Sequence, residues 1–126
     1  MEEAQGEIRE IKKSFRNALN GLKYSFLYER NFQIEIIIAV FVLVLILIFK
    51  VKSWEAIILF LMIMLVLIME LINTVVERVV DILKPRIHPY AKLIKDIMAA
   101  VVMISSTVAL IVGVIVFYPY FRDLLR

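Results

Sequence analysis

The sequence predicts an all-α integral membrane protein in which an N-terminal amphipathic surface helix precedes three transmembrane helices. Hydrophobic residues make up 63% of the 126 residues, and the mean hydropathy is +0.91. A soluble chain of this size hides only about two-thirds of its surface on folding, so it could not bury so much apolar side chain. Because the apolar residues also fall into three long blocks, an ordinary soluble domain is excluded.

The three apolar blocks are long enough to cross a bilayer as helices. They are free of charge over residues 36–49, 56–69 and 97–121. The apolar pattern of the second block resumes after Glu70, and a bilayer core needs about 20 helical residues. We therefore predict one membrane domain over residues 1–126, with spans at about residues 31–50, 55–82 and 93–121.

The segment before the first block has a helical period of its own. Its apolar residues recur every three or four positions, at Ile8, Ile11, Phe15, Leu19, Leu22 and Phe26. The basic residues fall largely on other faces, which is typical of a helix lying in the membrane surface. We predict this helix over residues 7–28; it either only anchors the chain or also shapes a site. The charged start of the chain lacks the features of a cleaved signal peptide.

Basic residues are distributed unevenly between the two ends of the predicted spans. Residues 1–33 carry six Lys and Arg, the connection between the second and third spans carries five, and the other end carries four. Eleven against four places the N-terminus and that connection in the cytoplasm and the C-terminus outside. The net charge of +3 thus reflects topology, and we expect no nucleic-acid partner.

Two gaps in the composition narrow the chemistry. The chain has no cysteine, which removes thiolate metal sites and thiol catalysis. Its three glycines, Gly6, Gly21 and Gly113, cannot form either of the glycine-rich phosphate loops. A nucleotide bound here would have to be held by side chains and a metal ion.

Polar residues form a single stripe on the second predicted span. Ionisable groups inside a membrane cost about 2.5–3.5 kcal/mol each on insertion scales, so they are functional candidates by default. At 100° per residue, the five members lie within about 100° of arc. They are Glu70, Asn73, Thr74, Glu77 and Asp81. This face is expected to look at protein or water rather than at lipid.

Other polar residues are predicted at the same end of the spans. Glu29 lies just before the first span, and Lys95 and Asp96 open the third. Carboxylates favour Mg²⁺, which proteins usually hold together with substrate phosphates, and an ammonium group favours phosphate. The deeper Glu70 is placed to act as a general base on an alcohol at headgroup depth. The pattern indicates phosphoryl transfer from a cytoplasmic nucleotide to a membrane-held hydroxyl.

Two other classes of protein fit part of this pattern. A cation transporter or channel would line its path with the same stripe, yet residues 56–69 and 97–105 offer no ion ligands toward the outer half. A small non-catalytic assembly subunit would use single polar residues as interhelical contacts, and it would need neither Glu29 nor the Lys95–Asp96 pair.

The segment from Glu70 to Asp81 (ELINTVVERVVD), followed by His88 and then Lys95-Asp96-Ile97-Met98-Ala99-Ala100, resembles the prokaryotic diacylglycerol kinase/undecaprenol kinase family. The stretches at residues 15–24 and 29–32 match it too, so the resemblance covers about residues 12–118. It implies an ATP- and Mg²⁺-dependent lipid kinase of the bacterial cytoplasmic membrane. It also implies a homotrimer of three-span subunits whose active sites are shared between neighbours.

The resemblance also implies roles for individual residues. Glu70 would be the catalytic base, and Glu29 and Glu77 would hold the metal. The residues implied in ATP binding are Asn17, Glu29, Asn73, Glu77, Asp81, Arg86, His88, Lys95 and Asp96. The residues implied in lipid binding are Lys23, Tyr24, Ser25, Phe26, Asn31, Glu35, Glu70 and Ala99.

Departures from the family pattern bear on the substrate. Glu10 stands where Gram-negative diacylglycerol kinases have a basic residue, Asn17 replaces their aromatic, and Arg86-Ile87 replaces an acidic–aromatic pair. The stretches RNALNGLKY and LKPRIHP look more like the undecaprenol kinases of Gram-positive-type bacteria. The resemblance therefore favours undecaprenol as the substrate, with diacylglycerol as the alternative.

Overall fold

Residues 2–83 and 89–125 are described by a computed structural model, which is helical almost throughout these ranges. The four helices are α1 (Glu2–Tyr28), α2 (Arg30–Phe49), α3 (Ser53–Leu83) and α4 (Tyr90–Leu124). The last three are long and apolar enough to cross a membrane. The all-helical class and the three apolar helices expected from the sequence are thus confirmed.

A sharp corner at Glu29 joins α1 to α2. The Glu29 backbone is extended (φ −105°, ψ 107°), so the chain leaves one helix and enters the next within a single residue. The Glu29 amide still donates to the Ser25 carbonyl at 3.0 Å, and the Gln33 amide donates to the Glu29 carbonyl at 3.1 Å. The Gln33 side chain donates to the Phe26 carbonyl at 2.9 Å, which satisfies one of the last carbonyls of α1. These bonds fix where Glu29 lies.

The turn between α2 and α3 is built at the opposite end of the bundle. Lys50 ends α2 in the left-handed conformation (φ 48°, ψ 49°), which stops the helix. Glu55 lies in the first turn of α3, where a negative charge is favoured, and accepts the Lys52 amide at 3.0 Å. The Tyr120 hydroxyl donates to the same Glu55 oxygen, so the end of α4 is tied to this turn.

Helix α3 is the centre of the bundle, since it packs against both α4 and α2, while α1 packs against α2. The core cluster of Leu59, Val116 and Phe117 lies toward the Lys50 end of the spans. Phe49 extends it through an edge contact with Phe121, whose ring centroid is 4.8 Å away. The packed core therefore holds one end of the bundle together, and the polar stripe of α3 occupies the other.

Most apolar side chains of the three long helices point away from this core. Residues 5–24 of α1 are exposed on every face, including the apolar positions that set its period, and the first buried side chain after them is Ser25. Exposed apolar side chains on the long helices fit a hydrocarbon environment, because lipid is as apolar as they are.

Candidate active site

The stripe on α3 faces the protein interior over its first three members. Glu70, Asn73 and Thr74 are 2%, 6% and 7% exposed. Glu77, one turn further, is half-buried, and Asp81 is exposed. The stripe thus runs from a buried carboxylate to the helix end, as the common face of these residues predicts.

The Glu70 carboxylate lies among polar side chains from two helices. The amides of Asn31 on α2 and Asn73 on α3 interact with it. The carboxylates of Glu29 and Glu77 are close enough to act on its charge, and Glu35 of α2 lies close enough to be affected by Glu70 in turn. Four carboxylates therefore lie at the same end of the bundle, although they come from separate parts of the chain.

Several acceptor atoms of this cluster are buried without a hydrogen-bond partner. Within residues 5–83 and 89–125, the buried side-chain oxygens left unpaired are Glu35 Oε2, Glu70 Oε2 and Asn73 Oδ1. The Asn73 amide nitrogen donates to Glu77 Oε1 at 3.4 Å, which leaves the carbonyl oxygen of Asn73 free. A buried polar atom without a partner costs about 1–3 kcal/mol, so these three oxygens are the ones a ligand would satisfy.

Glu29 is tied to α3 by an ion pair. The Arg78 guanidinium donates to Glu29 Oε1, and the Arg78 Cζ atom lies 6.0 Å from the centroid of the Tyr24 ring. This contact joins the end of α1, the corner before α2 and the end of α3. Glu29 and Glu77 therefore lie at the same end of the bundle, which the sequence argument required.

A second ion pair lies further along the stripe. The Lys95 ammonium of α4 donates to Asp81 Oδ1 at 2.6 Å. Both side chains remain partly accessible, since Lys95 is 35% and Asp81 is 45% exposed. An ammonium group that is oriented by a carboxylate and reachable from solvent is placed to receive a phosphate.

The remaining residues implied by the resemblance lie at the edge of this cluster or away from it. Ser25 is buried at the end of α1. The exposed ones are Asn17, Lys23, Tyr24, Phe26, Asn31, Asp96 and Ala99. In the part of the chain that the structure describes, the Asn17 and Asp96 side chains make no hydrogen bond or ion pair. Arg86 and His88 lie outside the described residues.

Arg78 is the residue of this region that sequence reasoning did not assign to the site. In the sequence it is one of the five basic residues counted between the second and third spans, which indicate topology only. Its position directly after Glu77 places it beside the stripe, about 80° from Glu70 around the helix. The sequence does not indicate that Glu29 lies beside Arg78, because that proximity depends on how the helices pack.

An apolar cleft of about 680 Å³ opens between α2, α3 and α4. Glu35 lies in its wall, and the lining continues past Ala39 and Leu59 to Gly113 and Tyr118 toward the Lys50 end. The unpaired Glu35 oxygen therefore adjoins a cleft whose other walls are almost entirely hydrocarbon.

The fold and the cluster define a small helical membrane protein whose polar chemistry is concentrated at one end of its long helices. Comparison with known proteins identifies the family of membrane proteins to which the chain belongs. A family model described as Prokaryotic diacylglycerol kinase matches residues 16–117. The chain belongs to this family, and it is therefore a lipid kinase.

Two curated relatives support this assignment. An undecaprenol kinase of Bacillus subtilis is 32% identical over 115 residues, which covers 91% of this chain and 94% of the relative. A diacylglycerol kinase of Synechocystis is 34% identical over 101 residues, or 79% of this chain and 58% of the relative. The two relatives are named for different lipid acceptors, so the family alone does not fix the acceptor.

Proposed function

We propose that this protein transfers the γ-phosphate of ATP to the hydroxyl of undecaprenol, giving undecaprenyl phosphate. The observation that carries the proposal is the coincidence of three unpartnered buried oxygens and four carboxylates at one end of the bundle, among the described residues. The relative matched along nearly its whole length is named an undecaprenol kinase, which supports undecaprenol over diacylglycerol. With diacylglycerol as the acceptor, the same site would make phosphatidic acid.

Glu70 is the proposed catalytic base. Its unpartnered Oε2 accepts the proton of the lipid hydroxyl while the hydroxyl oxygen attacks the γ-phosphorus and the bond to the bridging oxygen of ADP breaks. Burial keeps water away from this oxygen, which protects the phosphate from hydrolysis. Most of the rate would come from positioning and charge neutralisation, as in other phosphoryl transfers.

Mg²⁺ fits the donor atoms on this face. A hard cation takes oxygen ligands and is usually held by one or two carboxylates together with substrate phosphates. Glu29 and Glu77 are the proposed ligands, and the free carbonyl oxygen of Asn73 adjoins Glu77. Among the described residues no group of three or more His, Asp or Glu side chains is arranged to hold a metal. The phosphates would therefore complete the coordination, and the metal would neutralise their charge.

The nucleotide is proposed to bind toward the exposed end of the stripe. Lys95, oriented by Asp81, gives the phosphates a positive charge that solvent can reach. Asn73 and Glu77, which lie on α3 between Glu70 and Asp81, would adjoin the phosphates. The other proposed contacts to ATP are Asn17, Arg86, His88 and Asp96.

The lipid is proposed to approach along α1 and α2. Its hydroxyl would lie between Glu35 and Glu70, and its hydrocarbon chain would follow the apolar cleft away from Glu35. The corner at Glu29 joins the end of α1 to the start of α2, the helix that carries Glu35. The proposed lipid contacts there are Lys23, Tyr24, Ser25, Phe26, Asn31 and Ala99.

The proposed assembly is a homotrimer in the bacterial cytoplasmic membrane, with α1 on the cytoplasmic surface and the C-terminus outside. The small packed core supports self-association, because three long helices around Leu59, Val116 and Phe117 are too thin to enclose two substrates. The apolar side chains that recur every three or four residues on α1 are exposed, which supports the placement of this helix in the membrane surface.

In the decisive experiment, purified protein is supplied with labelled ATP and Mg²⁺. Undecaprenol and diacylglycerol are tested in parallel as acceptors, and their kcat/KM values are compared. We expect transfer to both alcohols with the larger value for undecaprenol. A larger value for diacylglycerol would reverse the substrate assignment. Transfer to neither acceptor would favour the cation transporter, which a Mg²⁺ flux assay in sealed vesicles would then detect.

A further inference from the structure

Arg78 has no part in the mechanism proposed above, yet it forms an ion pair with Glu29. We propose that Arg78 is the counterion of Glu29 in the nucleotide-free protein and must release it before that carboxylate can ligate a divalent cation. This inference rests on the proposed function, in which Glu29 is a metal ligand. Arg78 is then a positioning residue that sets the affinity of the site for metal.

The geometry of the pair allows this release. The Glu29 side chain is 18% exposed, whereas the Arg78 side chain is 52% exposed. The guanidinium can therefore move into solvent while the carboxylate stays at the corner fixed by its backbone bonds. The incoming cation then replaces the guanidinium as counterion, so the mostly buried carboxylate is not left as an unpaired charge.

The charge of Arg78 makes the two states exclusive. An arginine in a protein keeps its proton, so Glu29 is freed only when the side chain moves. A divalent cation bound at the same carboxylate would be repelled by a guanidinium still in place. Each cation therefore weakens the binding of the other, and this coupling is reciprocal.

A competing role for Arg78 predicts the opposite effect. If the guanidinium bound the triphosphate directly, its removal would lower the affinity for metal and nucleotide together. If it only neutralises Glu29, its removal raises the affinity for metal. The sign of the change thus separates the two roles, and a purely structural role changes neither.

The test measures binding of Mn²⁺ to the full chain in nanodiscs of zwitterionic phospholipid. Binding is measured with Mn²⁺ alone and with Mn²⁺ plus a non-hydrolysable ATP analogue. We expect Arg78→Gln to bind Mn²⁺ about two- to five-fold more tightly, the range that the loss of an exposed ion pair allows. Arg78→Lys keeps the charge and should change affinity less. The matched control is Lys92→Gln, which removes one exposed positive charge from the start of α4, at the same end of the bundle as Arg78. Weaker binding in Arg78→Gln, or a gain no larger than the control's, overturns the inference.

The double variant with Glu29→Gln tells failure of this inference from failure of the proposed function. If Arg78 acts mainly through Glu29, its removal adds much less once Glu29 is an amide. A gain of undiminished size in the double variant refutes the inference and leaves the proposed function standing. Unchanged Mn²⁺ binding in Glu29→Gln alone refutes the metal role of Glu29, and the inference falls with it. Thermal unfolding of each variant verifies that the compared proteins are folded. If Arg78→Gln is not folded, Arg78→Met, which also removes the charge, takes its place in the comparison.

Discussion

Replacement of Glu70 by glutamine is expected to slow the enzyme and stabilise it at once. The amide has the shape of the carboxylate but cannot accept the hydroxyl proton. It also removes one negative charge from a group of four carboxylates and places an N–H donor where an unpartnered oxygen was buried. Catalysis and stability should therefore change in opposite directions, as they do where a site is kept strained for function.

The size of both effects follows from the position of Glu70. A general base contributes about 10²–10⁴-fold to a rate, which is about 2.7–5.4 kcal/mol of the barrier. Glu70 is 2% exposed, and a buried acceptor without a partner costs about 1–3 kcal/mol. We expect turnover to fall by the first factor and the free energy of unfolding to rise by up to about the second.

The assay is single-turnover transfer of labelled phosphate to lipid, with unfolding and oligomeric state measured on the same samples. Glu55→Gln is the matched control, because Glu55 is also buried, at 7% exposure, but accepts bonds from the Lys52 amide and the Tyr120 hydroxyl. It should lose stability and keep its turnover per folded protein. Undiminished turnover in Glu70→Gln would refute the role of base. Slower turnover with lower stability would make Glu70 a structural residue.

Three further predictions concern its neighbours. Glu77→Gln should weaken binding of the Mg²⁺·ATP analogue about ten- to hundred-fold in calorimetry and leave the KM for lipid unchanged; equal losses for both would contradict a metal role. Lys95→Gln should raise the KM for ATP more than Asp81→Asn, since only the first removes the charge that meets phosphate, and the reverse order would contradict this. Glu35→Gln should alter the kcat/KM ratio of undecaprenol to diacylglycerol without changing Mn²⁺ affinity, whereas lost Mn²⁺ binding would move Glu35 into the metal site.

The elements of this fold could be predicted because hydrocarbon thickness and helical period act within each segment. A charge-free run such as residues 97–121 has one stable form in a bilayer, and α4 spans it. The stripe from Glu70 to Asp81 follows from 3.6 residues per turn alone. Burial of Glu70, Asn73 and Thr74 agrees with the argument that such a stripe faces protein.

The contacts between helices could not be predicted in the same way. The pairing of Arg78 with Glu29 joins residues that are 49 positions apart, and it depends on the corner that turns α1 into α2. Nothing in the spacing of Lys95 indicated Asp81 as its partner, because their distance depends on how α4 packs against α3. These pairings are tertiary contacts. The spacing of residues in a sequence predicts which face of a helix a residue occupies, but it does not predict which residue of another helix lies against it.

Buried polar groups have hydrogen-bond donors at one end of the bundle and lack them at the other, among the described residues. This difference is the strongest physical argument for the position of the site. At the Lys50 end, the buried carboxylate of Glu55 has two donors, so it is satisfied within the fold and needs no ligand. At the Glu29 end, Glu35, Glu70 and Asn73 each keep a buried oxygen that no described residue donates to. A fold selected for stability alone would fill these positions with apolar side chains, because an unmet buried acceptor costs more than its replacement. Their retention at one end of the bundle supports the proposal that a metal ion and a hydroxyl, rather than another side chain, complete them.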